Sequence, residues 1–385
     1  MNHTILHELH TQLQNLDAQG LRRRMAEPLG LDFSSNDYLG FANDSELEKR
    51  FFEKLNQDLY RHRAPASRLL RGHLPCHTAL EKRLAQWKGT EAALLFSSGY
   101  LANLATLSTL VSSHDRVISD ALNHASLVDG IRMTKCHKVI VPHLDLDAIE
   151  DTLKQPHPSG HTFVVTESLF GMDGDIADID RLASLCETYG AGLIVDDSHG
   201  VGVYAPLVCA NQCLAVISTF GKGLSASGAC VSGPQVVIDS LINRARSFIF
   251  TTAIAPWSVA SIDASLDHLN QYPDRGARAC ALAARLRSSL RDTGLQVLGD
   301  HSPIVPVIIG DNDTAMAYAT QISNAGFDVR AVRPPTVPQG TARLRISVHA
   351  DRTKEEIDQL VDEIWTPTRR NATTSPSRCE VEVKK

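Results

Sequence analysis

Short apolar runs alternate with amphipathic helical stretches from about residue 76 to residue 250. The apolar runs are short and continuous, which is typical of strands that are buried on both faces. Between two of them, helical spacing relates Ile179, Leu182, Ala183 and Cys186. The predicted strands are residues 92–96, 116–119, 162–166, 192–195 and 214–219. Strands that alternate with covering helices predict an α/β fold built on a mainly parallel sheet.

The pattern changes on both sides of this region. After Pro256 a long helical region runs to about Leu295, and strands follow near residues 304–309 and 342–348, which predicts a smaller α+β domain. An amphipathic helix that docks on another surface is predicted at the N-terminus from Leu6, Leu9, Leu13 and Leu16. We therefore expect an N-terminal helix and arm (1–45), a large domain (46–258), a small domain (259–365) and a polar, disordered tail (366–385).

Composition narrows the class of partner. The chain has 385 residues, 43% apolar and 21% charged, so it can bury a sizeable core. A net charge of -6, with basic residues spread along the sequence, does not indicate binding to nucleic acid or to an anionic membrane. Cys209 and Cys213, the close pair among eight cysteines, fit neither a zinc site nor a redox dithiol. No apolar run approaches the ~20 residues that cross a bilayer. We expect a cytoplasmic protein that acts on small molecules.

Polar side chains follow the predicted strands at the points where those strands end. In an open α/β sheet the carboxyl ends of the strands line the ligand crevice. The loops should therefore converge on one site, and this convergence carries more weight than any single motif. They contain Ser98-Gly99-Tyr100, Asn123-His124, Glu167-Ser168, Asp196-Asp197-Ser198-His199 and Ser218-Thr219-Phe220-Gly221-Lys222.

Lys222 is the candidate nucleophile of this site. A solvated loop lysine is the ordinary alternative, and a phosphate-binding loop is excluded because Gly223, not serine or threonine, follows the lysine. A lysine beside a desolvated aldehyde can form a Schiff base with pyridoxal 5'-phosphate (PLP), which then serves as an electron sink. The pyridine nitrogen of PLP calls for a buried carboxylate. Asp196, directly after an apolar run, is placed for that role.

The neighbouring loops supply further candidates, each with a structural alternative. His199 suits a hydrogen bond to the PLP ring hydroxyl or to an acyl carbonyl, but it could be a structural histidine. His124 could stack on the pyridine ring or only cap a helix. The turn Ser98-Gly99-Tyr100 opens a helix, where free N–H groups and the helix dipole favour a phosphate. A plain helix cap would have the same sequence.

Two acidic pairs leave a metal-dependent transferase as an alternative. Asp196 and Asp197 could hold a hard cation, and Asp173-Gly174-Asp175 resembles the acidic pair of some sugar transferases. We expect no metal, because these signals are weak beside the lysine and its partners. A metal-dependent enzyme would be colourless and would require a divalent ion.

Several long segments match one known family in the right order. They are LDFSSNDYLGF, LLFSSGYLANL, NHASLVDGIR, VVTESLFGMDGD, LIVDDSHGVGV, STFGKG, FTTAIAP and RPPTVPQGTARLRIS. With these segments the chain resembles the α-oxoamine synthases, a family of PLP-dependent enzymes, from about Leu21 to Trp365. The resemblance implies the aspartate aminotransferase-like fold (fold type I). It also implies PLP as the cofactor and a homodimer with active sites at the interface.

The resemblance implies catalytic roles for four residues. Lys222 would bond to PLP, Asp196 would pair with the pyridine nitrogen, and His124 would stack on the ring. His199 would lie near the ring hydroxyl, as would Ser168. Lys222, once displaced from PLP by the substrate, would be the general acid and base.

Substrate and phosphate contacts are also implied by the resemblance. Arg345 would anchor the carboxylate of the amino acid, a task that suits the bidentate guanidinium. The acyl substrate would contact Arg22, Arg333 and Thr336. The phosphate would lie against Ser98, Gly99, Tyr100, Thr219 and, reaching across from the partner subunit, Thr251 and Thr252.

Residues 333–347 most resemble the family members of biotin assembly. These condense L-alanine with a pimeloyl thioester of coenzyme A or of an acyl carrier protein, with loss of carbon dioxide. A sister activity that uses glycine or serine stays open, and so does a non-catalytic partner subunit, which would be expected to lack Lys222. The chain departs from its relatives where Gly223-Leu224-Ser225-Ala226 replaces a more glycine-rich turn.

Overall fold

The computed structural model describes residues 3–25, 27–60 and 63–372, with side chains as far as residue 365. The strands are β1 (Leu31–Asp32), β2 (Ala92–Phe96), β3 (Arg116–Asp120), β4 (His137–Val141), β5 (Thr162–Glu167), β6 (Gly192–Asp196), β7 (Ala215–Thr219), β8 (Ala229–Gly233), β9 (Ile304–Gly310), β10 (Phe327–Asp328), β11 (Arg330–Val332) and β12 (Ala342–Ser347). The helices are α1 (His3–Ala18), α2 (Ser45–Leu55), α3 (Pro75–Lys88), α4 (Gly99–Leu110), α5 (Ala125–Thr134), α6 (Leu146–Lys154), α7 (Ile179–Tyr189), α8 (Gln235–Arg244), α9 (Arg246–Ile249), α10 (Pro256–Gln271), α11 (Arg275–Asp292), α12 (Asn312–Asn324) and α13 (Lys354–Ala372).

Seven strands form the central sheet, in the order β2-β8-β7-β6-β5-β3-β4. All pairs are parallel except the two that β8 makes with β2 and β7. The predicted α/β class is confirmed, and each strand predicted for this sheet is present within one residue of its expected ends. The prediction omits β4, which is mostly exposed, and β8, whose small residues make no long apolar run.

Helices cover the sheet and bury its central strands completely. Leu193, Ile194 and Val195 of β6 are at most 1% exposed, as expected of a parallel strand packed on both faces. Asp196 ends this strand at the carboxyl edge, where the apolar run stops. Two residues, Ser97 and Ser98, separate the end of β2 from the start of α4 at the same edge of the sheet. The polar loops predicted to converge therefore share one edge of the sheet.

A smaller unit follows α10 in the chain. Its antiparallel sheet has the order β11-β12-β9, and both strands predicted here, β9 and β12, are present. Helices α11, α12 and α13 supply the apolar residues that pack with this sheet. The expected start of the tail at residue 366 falls inside α13, and residues 373–385 lie outside the described part of the chain.

The crossing segment (residues 33–41) links these two units. The carbonyl of Phe33 accepts the N–H of Ser347 at 2.8 Å, and the carbonyl of Tyr38 accepts the N–H of Ala350 at 2.9 Å. Leu39, in contrast, packs in the core of the large unit. Helix α1 is amphipathic as predicted, but none of its residues is buried. Within the described residues, no helix is long and apolar enough to span a membrane.

Candidate active site

Lys222 lies in the loop after β7, at the carboxyl edge of the central sheet. Burial lowers the pKa of its amine, while the negative charges of Asp196 and Glu167 oppose that shift. An amine with a lowered pKa is neutral more often, and only the neutral form can attack an aldehyde or accept a proton. Lys222 is therefore suited to covalent catalysis in this position.

Asp196 is buried and has only neutral partners. Its carboxylate accepts the Nδ2 of Asn103 at 2.6 Å and the backbone N–H of Ser198 at 2.9 Å. Among the described residues it makes no ion pair. A buried carboxylate without a cation is costly unless a ligand supplies the positive charge. Asp196 thus fits the protonated pyridine nitrogen of PLP.

The next residue, Asp197, has different surroundings. Its carboxylate forms a buried ion pair with the Nζ of Lys88 at 2.7 Å and accepts the hydroxyl of Ser168 at 2.7 Å. The hydroxyl of Ser168, which was expected near the ring hydroxyl of PLP, therefore donates a hydrogen bond to Asp197 in this structure. A metal at the paired aspartates is disfavoured, because their carboxylates are engaged by different groups.

The N-terminus of α4 forms a cradle for an anion. Ser98 caps the helix by accepting the N–H of Leu101, and the first-turn N–H groups of Gly99 and Tyr100 take no part in bonds along the helix. A Cβ on Gly99 would lie 2.0 Å from the Oγ1 of Thr219, so only glycine allows this close approach. The hydroxyl of Ser198 donates to the Oγ1 of Thr219 at 2.9 Å or accepts from it. These groups fit the phosphate of PLP.

His124 caps α5, and its ring is held at one nitrogen. The Nδ1 lies 2.7 Å from the hydroxyl of Ser126. The backbone N–H of His124 donates to Glu167 at 2.7 Å. Burial lowers the pKa of His124 and, together with the charge of Asp196, raises the pKa of Glu167 to about 8. His124 is therefore a neutral, fixed aromatic ring beside Lys222 and Asp196, as stacking on a pyridine requires.

Arg345, on β12, is 7% exposed and donates only to neutral oxygen atoms. Its Nε donates to the carbonyl of Gly171 at 2.5 Å and its Nη1 to the hydroxyl of Ser347 at 2.9 Å. Its Nη2 donates to the Oδ1 of Asn36 at 2.9 Å and to the hydroxyl of Tyr38 at 3.2 Å. No carboxylate of the described residues neutralises this charge. A buried guanidinium without a counter-ion is suited to an anionic substrate group.

His199 lies against the same cluster. Burial and the positive charges of Lys222 and Arg345 hold the pKa of His199 well below its usual range, so its ring is neutral. Its Nδ1 lies 2.7 Å from the hydroxyl of Tyr38. A Cβ on Gly171 would lie 2.3 Å from its Nε2, so a glycine is needed there.

A cavity of about 680 Å³ lies between α1 and the segment that follows β11. Its apolar lining includes Leu13, Leu16 and Met172, and its polar lining includes the three predicted acyl contacts, Arg22, Arg333 and Thr336. Arg22 pairs with Asp17 at 2.6 Å. Arg23, for which the sequence predicts no role, also lines this cavity and donates to the hydroxyl of Thr336 at 3.2 Å.

Thr251 and Thr252 are not brought into this cluster. Thr251 is half-buried and Thr252 is exposed, next to the exposed ring of Phe250. Neither bonds to a residue around Lys222 within the described part of the chain. The predicted phosphate contact of these threonines is therefore not made by the described residues of a single chain.

Three polar residues of the site, Asn36, Tyr38 and Asn103, were not predicted from the sequence, and neither was the role of Glu167. Asn36 and Tyr38 lie in the segment LDFSSNDYLGF, which has neither helical nor strand periodicity. Asn103 sits on the helix that forms the phosphate cradle, four residues after Gly99 and thus on the same side of that helix. That spacing is the one signal that could have indicated it.

Taken together, the chemical groups around Lys222 fit PLP. It comprises an amine of lowered pKa, a buried carboxylate without a cation, a neutral aromatic ring and a glycine cradle at a helix N-terminus. Within the described residues, no group of three or more His, Cys, Asp or Glu side chains could hold a metal ion. Asp173 instead pairs with Arg343 at 2.5 Å and Asp175 with His143 at 3.3 Å.

The chain is similar to known proteins over most of its length. The family Aminotransferase class I and II matches residues 29–364. An 8-amino-7-oxononanoate synthase from Marinobacter nauticus is 41% identical over 340 residues, which cover 86% of this chain and 85% of the relative. A solved serine palmitoyltransferase from Sphingomonas wittichii has a TM-score of 0.85 at 27% identity, covering 95% of this chain and 98% of that one. An 8-amino-7-oxononanoate synthase from Francisella tularensis has a TM-score of 0.75 at 26% identity, covering 89% and 99%.

The expected cofactor and the observed fold of the chain agree with those of similar structures. A further similar structure, of a serine palmitoyltransferase from S. paucimobilis with a bound PLP-myriocin aldimine, has a TM-score of 0.85 at 25% identity. The buried lysine, carboxylate and glycine cradle described above are the groups that PLP requires. The chain therefore belongs to the class I and II aminotransferases and, within them, to the α-oxoamine synthases.

Proposed function

We propose that the protein condenses L-alanine with a pimeloyl thioester and releases carbon dioxide, the free thiol and 8-amino-7-oxononanoate. Curated relatives that are named 8-amino-7-oxononanoate synthase are 36% to 41% identical to the chain over most of its length. The structural observation that carries the proposal is Arg345, a buried guanidinium with neutral partners only, whose positive charge helps to lower the pKa of Lys222. It offers a carboxylate site next to a nucleophilic amine, as an amino acid substrate needs.

PLP, when bound, supplies the electron sink that lets the α-carbon of the amino acid carry negative charge. Asp196 would favour the protonated form of its pyridine nitrogen, and His124 would cover its ring. The phosphate would be held by the N–H groups of Gly99 and Tyr100 and by the hydroxyl of Thr219. Each of these groups lies at the carboxyl edge of the central sheet.

Proton transfer is assigned to Lys222. Its lowered pKa leaves the amine free to accept the α-proton of L-alanine and to return a proton after decarboxylation. Arg345 would hold the carboxylate of L-alanine in the same cluster as this amine. His199, neutral and buried, is placed to hydrogen-bond the acyl carbonyl or the ring hydroxyl.

The acyl chain is assigned to the cavity between α1 and the segment after β11. Apolar side chains there suit the methylene groups of a pimeloyl chain, and Arg22, Arg333 and Thr336 suit its anionic or carbonyl groups. Coenzyme A and an acyl carrier protein both bring phosphate groups that arginines at the cavity would attract. Both carriers are substrates to test.

We infer a homodimer, because the predicted phosphate contacts Thr251 and Thr252 do not bond to the described residues around Lys222. The N–H of Ala253 donates to the carbonyl of Ala66 at 3.0 Å, so the segment that leads to the exposed Leu69 and Leu70 adjoins the segment that follows Thr252. Phe250 and Trp257 are exposed beside them. Exposed large apolar side chains on these two adjoining segments favour burial against a second copy of the chain. Sedimentation velocity of the holoenzyme tests this association. A cytoplasmic location is proposed with it, supported by the seven described cysteines, which are all free thiols.

The decisive experiment supplies L-alanine with pimeloyl-coenzyme A and detects 8-amino-7-oxononanoate by mass spectrometry, together with the released thiol. Glycine and serine are supplied in parallel, because serine palmitoyltransferases are among the similar structures. Product from alanine alone supports the proposal. Product from glycine or serine, and not from alanine, would replace it by a sister activity. No product from any amino acid, with PLP bound, would favour a non-catalytic partner subunit.

A further inference from the structure

Tyr38 is a fully buried tyrosine whose hydroxyl is surrounded by polar atoms. Its exposed fraction is 0%, and its ring packs with Leu169, Val203 and Ile304. Phenylalanine would satisfy this apolar packing equally well. The hydroxyl is therefore the part of the side chain that needs an explanation, because a buried hydroxyl is costly unless it is bonded.

Three groups surround the hydroxyl, and their chemistry limits where its proton can go. The Nη2 of Arg345, at 3.2 Å, can only donate, so the oxygen of Tyr38 accepts from it. The single proton of Tyr38 must then go to the Oδ1 of Asn36 at 3.0 Å or to the Nδ1 of His199 at 2.7 Å. Asn36 already accepts from the same Nη2 at 2.9 Å.

His199 is neutral, so one of its two ring nitrogens carries a proton. If Tyr38 donates to the Nδ1, the proton of His199 is on the Nε2. If His199 instead donates from the Nδ1, the Nε2 carries only a lone pair. The separation of 2.7 Å is typical of a hydroxyl donor, whereas N–H donors lie about 2.9–3.0 Å from oxygen. The distance therefore favours Tyr38 as the donor.

We propose that Tyr38 is a positioning residue that donates to the Nδ1 of His199 and thereby holds His199 as a neutral Nε2–H donor toward the reacting groups. This inference rests on the proposed condensation and deepens it. The Nε2 edge of the ring lies directly against Gly171, in the place that a side chain of that residue would occupy. Tyr38 also bonds to Arg345, so one hydroxyl connects the carboxylate anchor with the histidine.

The test compares Tyr38→Phe with Tyr204→Phe in the holoenzyme. Tyr204 packs on the same apolar cluster, but its hydroxyl donates to the carbonyl of His301 at 2.9 Å, away from His199. Both variants lose the same atom. For Tyr38→Phe we expect kcat to fall about 10- to 100-fold while the KM for alanine changes less than about 3-fold, since Arg345 keeps its other partners. Tyr204→Phe should leave both constants unchanged.

A pH profile separates positioning from packing. A donor on the Nδ1 stabilises the neutral ring, so its removal must raise the pKa of His199 and move the acid limb of kcat to higher pH. If Tyr38 served only to bond Arg345, the KM for alanine would rise and the acid limb would stay in place. That outcome, or an unchanged kcat, would overturn the proposal.

A second measurement does not depend on turnover or on the stability of a variant. In 15N-histidine-labelled wild-type holoenzyme, the ring nitrogens of His199, assigned by their absence in His199→Asn, report which nitrogen is protonated. The expected form has its proton on the Nε2, and a proton on the Nδ1 would contradict the proposal. If the wild-type enzyme forms no product from L-alanine, the proposed condensation fails, but this measurement still decides the proton position.

Discussion

Asp196 and Asp197 are consecutive residues at the end of one strand, yet their carboxylates have opposite surroundings. Asp197 forms a closed ion pair with Lys88, with side chains that are 6% and 1% exposed. Asp196 has amide donors only, although the charge of the nearby Lys222 acts on the same cluster. A closed pair satisfies both charges and leaves neither for chemistry. An amine and a carboxylate held without an ion pair remain available to a cofactor that carries both an aldehyde and a basic nitrogen.

The largest effect is expected from removing the amine that is not in an ion pair. Lys222→Ala should lower the rate of product formation at least about 10⁴-fold, because both covalent and proton-transfer roles are lost. The melting temperature of this variant should not be lower than that of the wild type, because the substitution breaks no ion pair. Borohydride reduction followed by peptide mapping should find the pyridoxyl group on Lys222 in the wild type. Turnover within tenfold of the wild type would contradict the assignment.

Breaking the ion pair between Lys88 and Asp197 should lower the stability of the fold and leave catalysis almost unchanged. Lys88→Met leaves Asp197 buried without a cation, and we expect the free energy of unfolding to fall by about 3–5 kcal/mol. The value of kcat per folded molecule should change little. Urea unfolding monitored by circular dichroism measures the loss. As a control, adding Asp197→Asn to Lys88→Met removes the unpaired charge and should restore much of the stability; no recovery would count against an electrostatic cause.

Removing the charge of Asp196 should give the reverse pattern. Asp196→Asn keeps an oxygen acceptor for Asn103 and Ser198 but cannot favour the protonated pyridine nitrogen of PLP, so kcat should fall about 10²-fold. The free energy of unfolding should stay within about 1 kcal/mol. The matched variant Asp197→Asn should lose more stability than activity. If both variants had the same profile, the distinction between the two aspartates would be wrong.

The smallest expected effect comes from His143, a second charged side chain that is paired with carboxylates. Its Nδ1 lies 2.9 Å from Asp120 and its Nε2 3.3 Å from Asp175. Burial opposes the charge, but the two carboxylates outweigh it and raise the pKa of His143 to about 9. The folded-state pKa lies above the unfolded one, so this stabilisation is complete below pH 6.5 and is lost as the pH rises through about 9.

His143→Gln should therefore lower the free energy of unfolding by about 1–2 kcal/mol at pH 6. The difference from the wild type should shrink by pH 10, where the native histidine is neutral too. Urea unfolding at both pH values measures it. A difference that is equal at pH 6 and pH 10 would mean that the ring packs and does not act through its charge.

The half of the site that follows the central strands was predictable from the sequence. A run of apolar residues that ends in Asp196 indicates a buried strand whose carboxylate faces the crevice, and Lys222 follows the next strand in the same manner. The opposite environments of Asp196 and Asp197 were not predictable, because Lys88 is 109 residues away in the chain. Local pattern contains no information on such a distant partner.

The other half of the site depends on contacts that no local pattern reveals. Tyr38 lies in a segment without periodicity, and its partners His199 and Arg345 are 161 and 307 residues away. Family resemblance indicated Arg345 and His199, but the hydroxyl that connects them appears only in three dimensions. Of the fold, β4 and β8 were missed, since an exposed edge strand and a strand of small residues both lack the long apolar run that identifies buried strands.

The crossing segment has a consequence for the order in which the protein is built. Contacts that close a loop of about 300 residues form slowly, because the entropy of the open chain must be overcome first. On the ribosome, the residues of the phosphate cradle, Asp196 and Lys222 emerge long before Arg345. Residues 33–41 must then wait for β12, whose Ser347 bonds to Phe33. We expect the cofactor-binding half to take shape while the chain is still being synthesised, and the amino acid site to close only after the final third has been released.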